Sequence, residues 1–206
     1  STAIEIPESV QYIFPFAFAN AGEIEELTIL TPVQTFGEFA FATLAPKKLC
    51  AAFVPEGLSV KNLEALVVPE GVETIQAEAF QGCTQVKTLE LPTSLKTIEE
   101  NAFEDVAPTS VTASYWPKGI SVTRLERFNF PEGVSEIHDS AFEHCHYWTE
   151  LALPEGLTKI GNNAFRNCDN LMKVTLPSTL ATVNAYAFDG CGKIQVVAFN
   201  GEPPTR

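Results

Sequence analysis

Five cysteines and three histidines are the residues of this chain best suited to chemistry. Cys83, Cys145, Cys168 and Cys191 each stand three positions after a phenylalanine. Thiols and imidazoles together could form a tetrahedral zinc site, and thiols alone could pair as disulfides. Equal placement along a repeated unit instead puts these thiols in a line, which suits a small buried hydrophobe better than a tetrahedron. An odd number of cysteines also argues against a fully paired disulfide framework. Cys50 falls in a different slot and is the thiol most worth testing for reactivity. His144-Cys145-His146, with His138, Asp139 and Ser140 upstream, supplies the residue types of a Cys–His nucleophile or a hydrolytic triad. If Cys145 faces inward, its two neighbours point to solvent and the base does not meet the thiol. No Gly-rich phosphate loop, HExxH motif or nucleophile elbow occurs. The residues predict no enzyme, no metal and no cofactor.

The framework that must position these side chains is a repeat. Ala-Phe pairs end at Phe18, Phe41, Phe80, Phe103, Phe142, Phe165 and Phe188, so the steps between them run 23, 39, 23, 39, 23 and 23. The first four steps are two copies of a 62-residue period, kept also by Leu27, Leu89 and Leu151 and by Ile29, Leu91 and Leu153. Self-similarity of this kind marks a solenoid. Within a rung such as Val174-Thr175-Leu176-Pro177, alternate residues share one face of an extended strand, and the proline marks its exit. The pattern predicts strands at 27–29, 52–54, 66–68, 89–91, 128–130, 151–153, 174–176 and 197–199. Pro55-Glu56-Gly57-Leu58 and Pro117-Lys118-Gly119-Ile120 open the added length in each long step. Residues 55–68 and 117–130 are therefore expected to be abbreviated rungs that keep the strand and lose most of the outer turn. Residues 1–206 are read as one domain.

The phrase Leu153-Pro154, Leu157, Ile160, Ala164-Phe165, Cys168, Leu171, Leu176-Pro177 closely resembles the BspA-like, or Treponema pallidum type, leucine-rich repeat. Full or partial copies run from about Ile6 to Phe199. The resemblance implies a mainly β leucine-rich-repeat solenoid. Parallel strands would line the concave side, with short turns and short strands or 3-10 segments on the convex side. It also implies a secreted or cell-surface bacterial protein, of a kind linked to adhesion or host-protein binding. Asn20-Ala21-Gly22 and Phe103-Glu104-Asp105-Val106 depart from the pattern by lacking the Cys turn.

A net charge of −13 repels phosphate backbones and anionic headgroups, which disfavours nucleic acid and membrane surfaces as partners. No segment approaches the roughly 20 apolar residues of a membrane span. The expected partner is a protein or a glycan, and nothing in the residues sets an oligomeric state. Outward strand positions are the natural contact array of a solenoid. They nominate Phe53, Val67, Glu90, Arg127, Asn129 and Glu150, with Phe53 as the aromatic anchor. Trp116, in the turn before the second abbreviated rung, is nominated for exposure, whereas Trp148 occupies the slot of Leu171 and is expected in the core. The competing reading is a spacer with no ligand, indifferent to substitution on this face.

Overall fold

The computed structural model describes residues 2–30 and 35–200, and among them there is no helix. All their strand pairs are parallel, so the chain is an all-β solenoid. It forms two compact units: Ser1–Thr112 with Pro117–Asn129, and Ala113–Trp116 with Phe130–Arg206.

In the first unit seven strands lie in one sheet: Ala3–Ile6, Glu23–Ile29, Ala45–Cys50, Ala65–Val67, Thr88–Glu90, Ser110–Thr112 and Arg127–Asn129. Leu27, Leu49, Leu66, Leu89 and Val111 occupy equivalent positions on successive strands and are buried. The register runs through Ala3, Glu26, Lys48, Ala65, Thr88, Ser110 and Arg127, so a long, a slightly shorter and a much shorter step recur in that order. In the second unit Glu150–Ala152, Lys173–Leu176 and Val196–Phe199 stack at the plain 23-residue step.

Two expectations about register are corrected here. The strand placed at 52–54 lies instead at Ala45–Cys50, and its counterpart one period later, Ser110–Thr112, was not anticipated. Ala52-Phe53-Val54 alternates like a strand, but Leu49 is the side chain that stacks between Leu27 and Leu66. The rung after Phe41 reaches its strand one position earlier, at Leu49, than the rung after Phe18 does at Leu27. The abbreviated rungs consequently run strand to strand from Lys48 to Ala65 and from Ser110 to Arg127, the two shortest steps of this sheet.

A backbone hydrogen bond explains how a short rung avoids breaking the ladder. In full rungs the Phe amide donates to the Ala carbonyl of the next Ala-Phe pair, as from Phe80 to Ala102 at 2.9 Å and from Phe142 to Ala164 at 2.8 Å. Where the rung has no Ala-Phe pair, Val54 donates to the Ala79 carbonyl at 2.9 Å. One period later, within the second unit, Trp116 donates to Ala141 at 2.7 Å. Each of these acceptors thus keeps a partner, as a closed backbone account requires.

The outer turns are built around the phenylalanines. Phe41, Phe80, Phe103, Phe142 and Phe165 are fully buried. Their rings stack with near-parallel planes, as in Phe80–Phe103 at 5.5 Å and Phe142–Phe165 at 5.3 Å. The residue two before each repeat phenylalanine has a left-handed backbone, with φ of 59° at Glu78, 56° at Asn101, 54° at Ser140 and 55° at Asn163. A second left-handed residue, such as Asn167 or Gly190, follows two after it. This doubled reversal folds the chain tightly around the ring. Gly37 answers a further constraint: a Cβ there would lie 2.2 Å from the Pro15 nitrogen of the neighbouring rung.

Candidate functional site

Strand alternation sends every second side chain away from the core. In the first unit this produces two outward columns. One runs Thr28, Cys50, Val67, Glu90, Thr112, Asn129 and the other Glu26, Lys48, Ala65, Thr88, Ser110, Arg127. The second unit carries Ala152, Thr175, Ala198 and Glu150, Lys173, Val196. Val67, Glu90, Arg127, Asn129 and Glu150 therefore occupy outward strand positions, as expected.

Charges on these columns are mostly neutralised between rungs. Lys48 pairs with Glu26 at 3.2 Å, and Lys173 pairs with Glu150 at 3.4 Å. The same device recurs off the strands in Glu64–Lys87 and Glu73–Lys96, and between the paired outer strands in Glu136–Lys159. Glu90 and Arg127 belong to no ion pair among the described residues, although both are exposed. The face of the first unit thus passes from small, partly covered side chains at Cys50, Ala65 and Val67 to uncompensated charge at Glu90 and Arg127.

Two nominated aromatics stand elsewhere. Phe53 lies beyond the end of its strand, half-buried, and meets Phe36 edge-on at 5.5 Å. It lines no column of the strand face, because the strand it was assigned to is displaced toward the N-terminus. Trp116 is half-buried in the second unit, 6.1 Å from Tyr147 and 5.9 Å from Trp148. Trp148 is buried, as its position in the Leu171 slot required.

The thiols behave as packing groups. Cys83, Cys145, Cys168 and Cys191 are all buried, and all five cysteines are free thiols. The Cys168 thiol donates to the Phe142 carbonyl at 3.4 Å, and the Cys191 thiol to the Phe165 carbonyl at 3.1 Å. Burial pushes Cys83 up to about 11 and Cys145 and Cys168 up to about 12, well away from the thiolate a nucleophile needs. Cys50 sits on the outward column, partly covered, and burial raises its pKa too. His144 and His146 flank Cys145 but face solvent, with His146 3.6 Å from Asp169. Asp139 accepts from the Asn162 amide at 2.7 Å and its side chain at 3.2 Å. Those bonds hold its carboxyl below the usual range and engage it in the next rung instead of at His138. Among the described residues no group of His, Cys, Asp and Glu could hold a metal ion.

The sequence reading missed a set of exposed aromatics in the first two rungs. Tyr12, Phe14, Phe16 and Phe39 are 58%, 76%, 62% and 55% exposed. Phe16 and Phe39 stack on one another at 5.6 Å with planes 18° apart. Both hold the left-handed position before the repeat phenylalanine, at φ of 60° and 56°, where other rungs place Asn101 or Asn163. Such a backbone costs a bulky residue about 1–2 kcal/mol, which exposed rings do not recover by burial. The signal was present in the sequence as Phe in two successive rungs at a position that holds Glu78, Asn101, Ser140 and Asn163 in four others, with Tyr186 as a further aromatic there in the last rung.

Stacked parallel rungs with an outward strand array define a leucine-rich-repeat solenoid. The BspA type leucine rich repeat region, a model of six copies, matches residues 1–60, 58–121 and 120–203, and the chain belongs to this family. No curated protein matches the chain. Solved structures with similarity include a leucine rich cell surface protein from Faecalibacterium prausnitzii, 18% identical over 98% of this chain and 79% of the other, with a TM-score of 0.39. A leucine rich repeat protein of T. pallidum is 25% identical over 73% of this chain and 57% of the other, at a TM-score of 0.38. A leucine-rich repeat protein from Bacteroides ovatus is 19% identical over 95% and 78%, at 0.34.

Proposed function

We propose that this chain is a protein-binding or adhesion module of a secreted or cell-surface bacterial protein, and that it engages its partner through the outward strand columns. Residues 1–206 act in this reading as one repeat domain. The observation that carries it is the strand register of the first unit, which sets Glu90 and Arg127 outside the ion-pair ladder that neutralises neighbouring charges. An exposed charge with no partner is not needed by the fold and is free to steer and orient a ligand. Val67 and Asn129 belong to the same proposed contact surface, and Glu150 holds the corresponding strand position in the second unit. Family membership supports a binding role. Phe53 and Trp116 serve the packing of their own units.

The test is interferometry against a panel of purified extracellular-matrix proteins and glycans, with wild type, Glu90→Lys and Arg127→Glu. A protein ligand whose affinity falls about tenfold in either variant, with unchanged thermal midpoints, supports the proposal. No ligand in the panel, or equal binding by all three proteins, favours the spacer reading. Capture of a glycan alone favours a carbohydrate-binding module.

A further inference from the structure

We propose that the exposed aromatics of the first two rungs form a second interaction surface, distinct from the strand columns, that takes a Lys- or Arg-bearing segment of another protein. Phe14, Phe16 and Phe39 present rings to solvent, and the Phe16–Phe39 stack spans two rungs as one continuous apolar element. An exposed patch of this kind marks an interaction site more often than isolated surface hydrophobes do.

Charge selects the occupant. Residues 1–46 contain no Lys or Arg, against Glu5, Glu8, Glu23, Glu25, Glu26 and Glu38. Glu25 and Glu26 are answered by Lys47 and Lys48 of the following strand. Glu5, Glu8 and Glu38 have no ion-pair partner among the described residues. Glu38 immediately precedes Phe39, and its carbonyl accepts the Phe16 amide at 3.2 Å, so it is built into the same two-rung element. Glu5 lines an open groove of about 260 Å³ together with Tyr12 and Phe14. With Glu5 in that groove and Glu38 adjoining Phe39 in the chain, these rungs carry both apolar rings and uncompensated carboxylates, which match the two halves of a basic side chain. The aliphatic stem lies on the ring while the cation meets the carboxylate and the ring's π face. An acidic partner would be repelled, and a neutral one would leave the carboxylates unused.

Fluorescence anisotropy with a labelled peptide repeating Arg-Leu-Ser tests this, with Glu-Leu-Ser and Ser-Leu-Ser peptides and a neutral oligosaccharide as comparison ligands. Wild type should bind the Arg peptide saturably and the others far more weakly. The double variant Phe16→Asn/Phe39→Asn keeps the net charge and suits the left-handed backbone, as Asn101 and Asn163 do. It should lose about tenfold in affinity without a fall in thermal midpoint. Glu38→Gln should weaken binding a few-fold, while Glu132→Gln, the same charge change in the second unit, should not. The proposal is overturned if the double variant binds like wild type, if wild type shows no saturable binding, or if the neutral peptide or oligosaccharide binds as tightly. Glu90→Lys and Arg127→Glu should leave this peptide's affinity unchanged, so failure here and failure of the strand-face reading are separate results.

Discussion

The two units solve the same packing problem with different spacing. The second repeats one 23-residue rung, and its phenylalanines form an unbroken column, Phe142 on Phe165 at 5.3 Å and Phe165 on Phe188 at 5.1 Å. The first alternates three rung lengths, and its column is divided into Phe18–Phe41 and Phe80–Phe103, because the short rung between them has no Ala-Phe turn. Phe36 and Phe53 stand beside that gap, Phe36 touching both Phe41 at 5.9 Å and Phe53 at 5.5 Å. The strand face, by contrast, stays in register through all seven strands. Outer turns can be shortened or dropped, but the parallel ladder tolerates no missing strand, because each backbone group needs the next rung.

Deleting rings measures that difference most strongly. Phe165→Ala removes a buried ring stacked on both sides and should cost about 3–5 kcal/mol in urea unfolding. Phe103→Ala removes a ring stacked on Phe80 and should fall in the lower half of that range. Equal losses would mean that the divided column is as tightly packed as the continuous one.

Alkaline pH gives the next contrast. Buried thiols hold their protons in the folded chain more tightly than in the unfolded one, whose thiols titrate near 9. The unfolded state therefore binds fewer protons above pH 9, and stability present in full below that pH is lost as it rises toward about 12. The second unit stacks Cys145, Cys168 and Cys191, while the first buries Cys83. Both tryptophans belong to the second unit, so their fluorescence should report an earlier alkaline transition than far-UV circular dichroism of the whole chain. Cys145→Ala/Cys168→Ala should flatten the fluorescence decline, and Cys83→Ala should not. In native protein a thiol reagent should label Cys50 first, since it alone among the cysteines is not buried.

Glycines supply the smallest effect. Gly192 has no neighbour within 4 Å of an added Cβ and no left-handed φ, so Gly192→Ala should stabilise the second unit by roughly 0.4–1 kcal/mol. Gly37→Ala in the first unit should destabilise, because its Cβ would meet backbone. A thermal midpoint raised by both would show that the first two rungs can separate without loss.

The residues alone determined the repeat, its 62-residue period, the buried Phe and Cys columns and the outward places of Val67, Glu90, Arg127, Asn129 and Glu150. Each of these follows from side-chain type at a fixed offset, which is a local property of the chain. Tertiary stacking decided where the third strand lies. Leu49-Cys50-Ala51 and Ala52-Phe53-Val54 alternate alike as isolated segments, and only the fit of Leu49 between Leu27 and Leu66 chooses between them. That choice moved Phe53 off the outward strand face and put Cys50 on it. Tertiary structure also separated paired charges from unpaired ones, since partners a whole rung apart in sequence meet only once the rungs are stacked. In the same way it exposed Phe16 and Phe39, whose stack forms only when the first two rungs lie side by side.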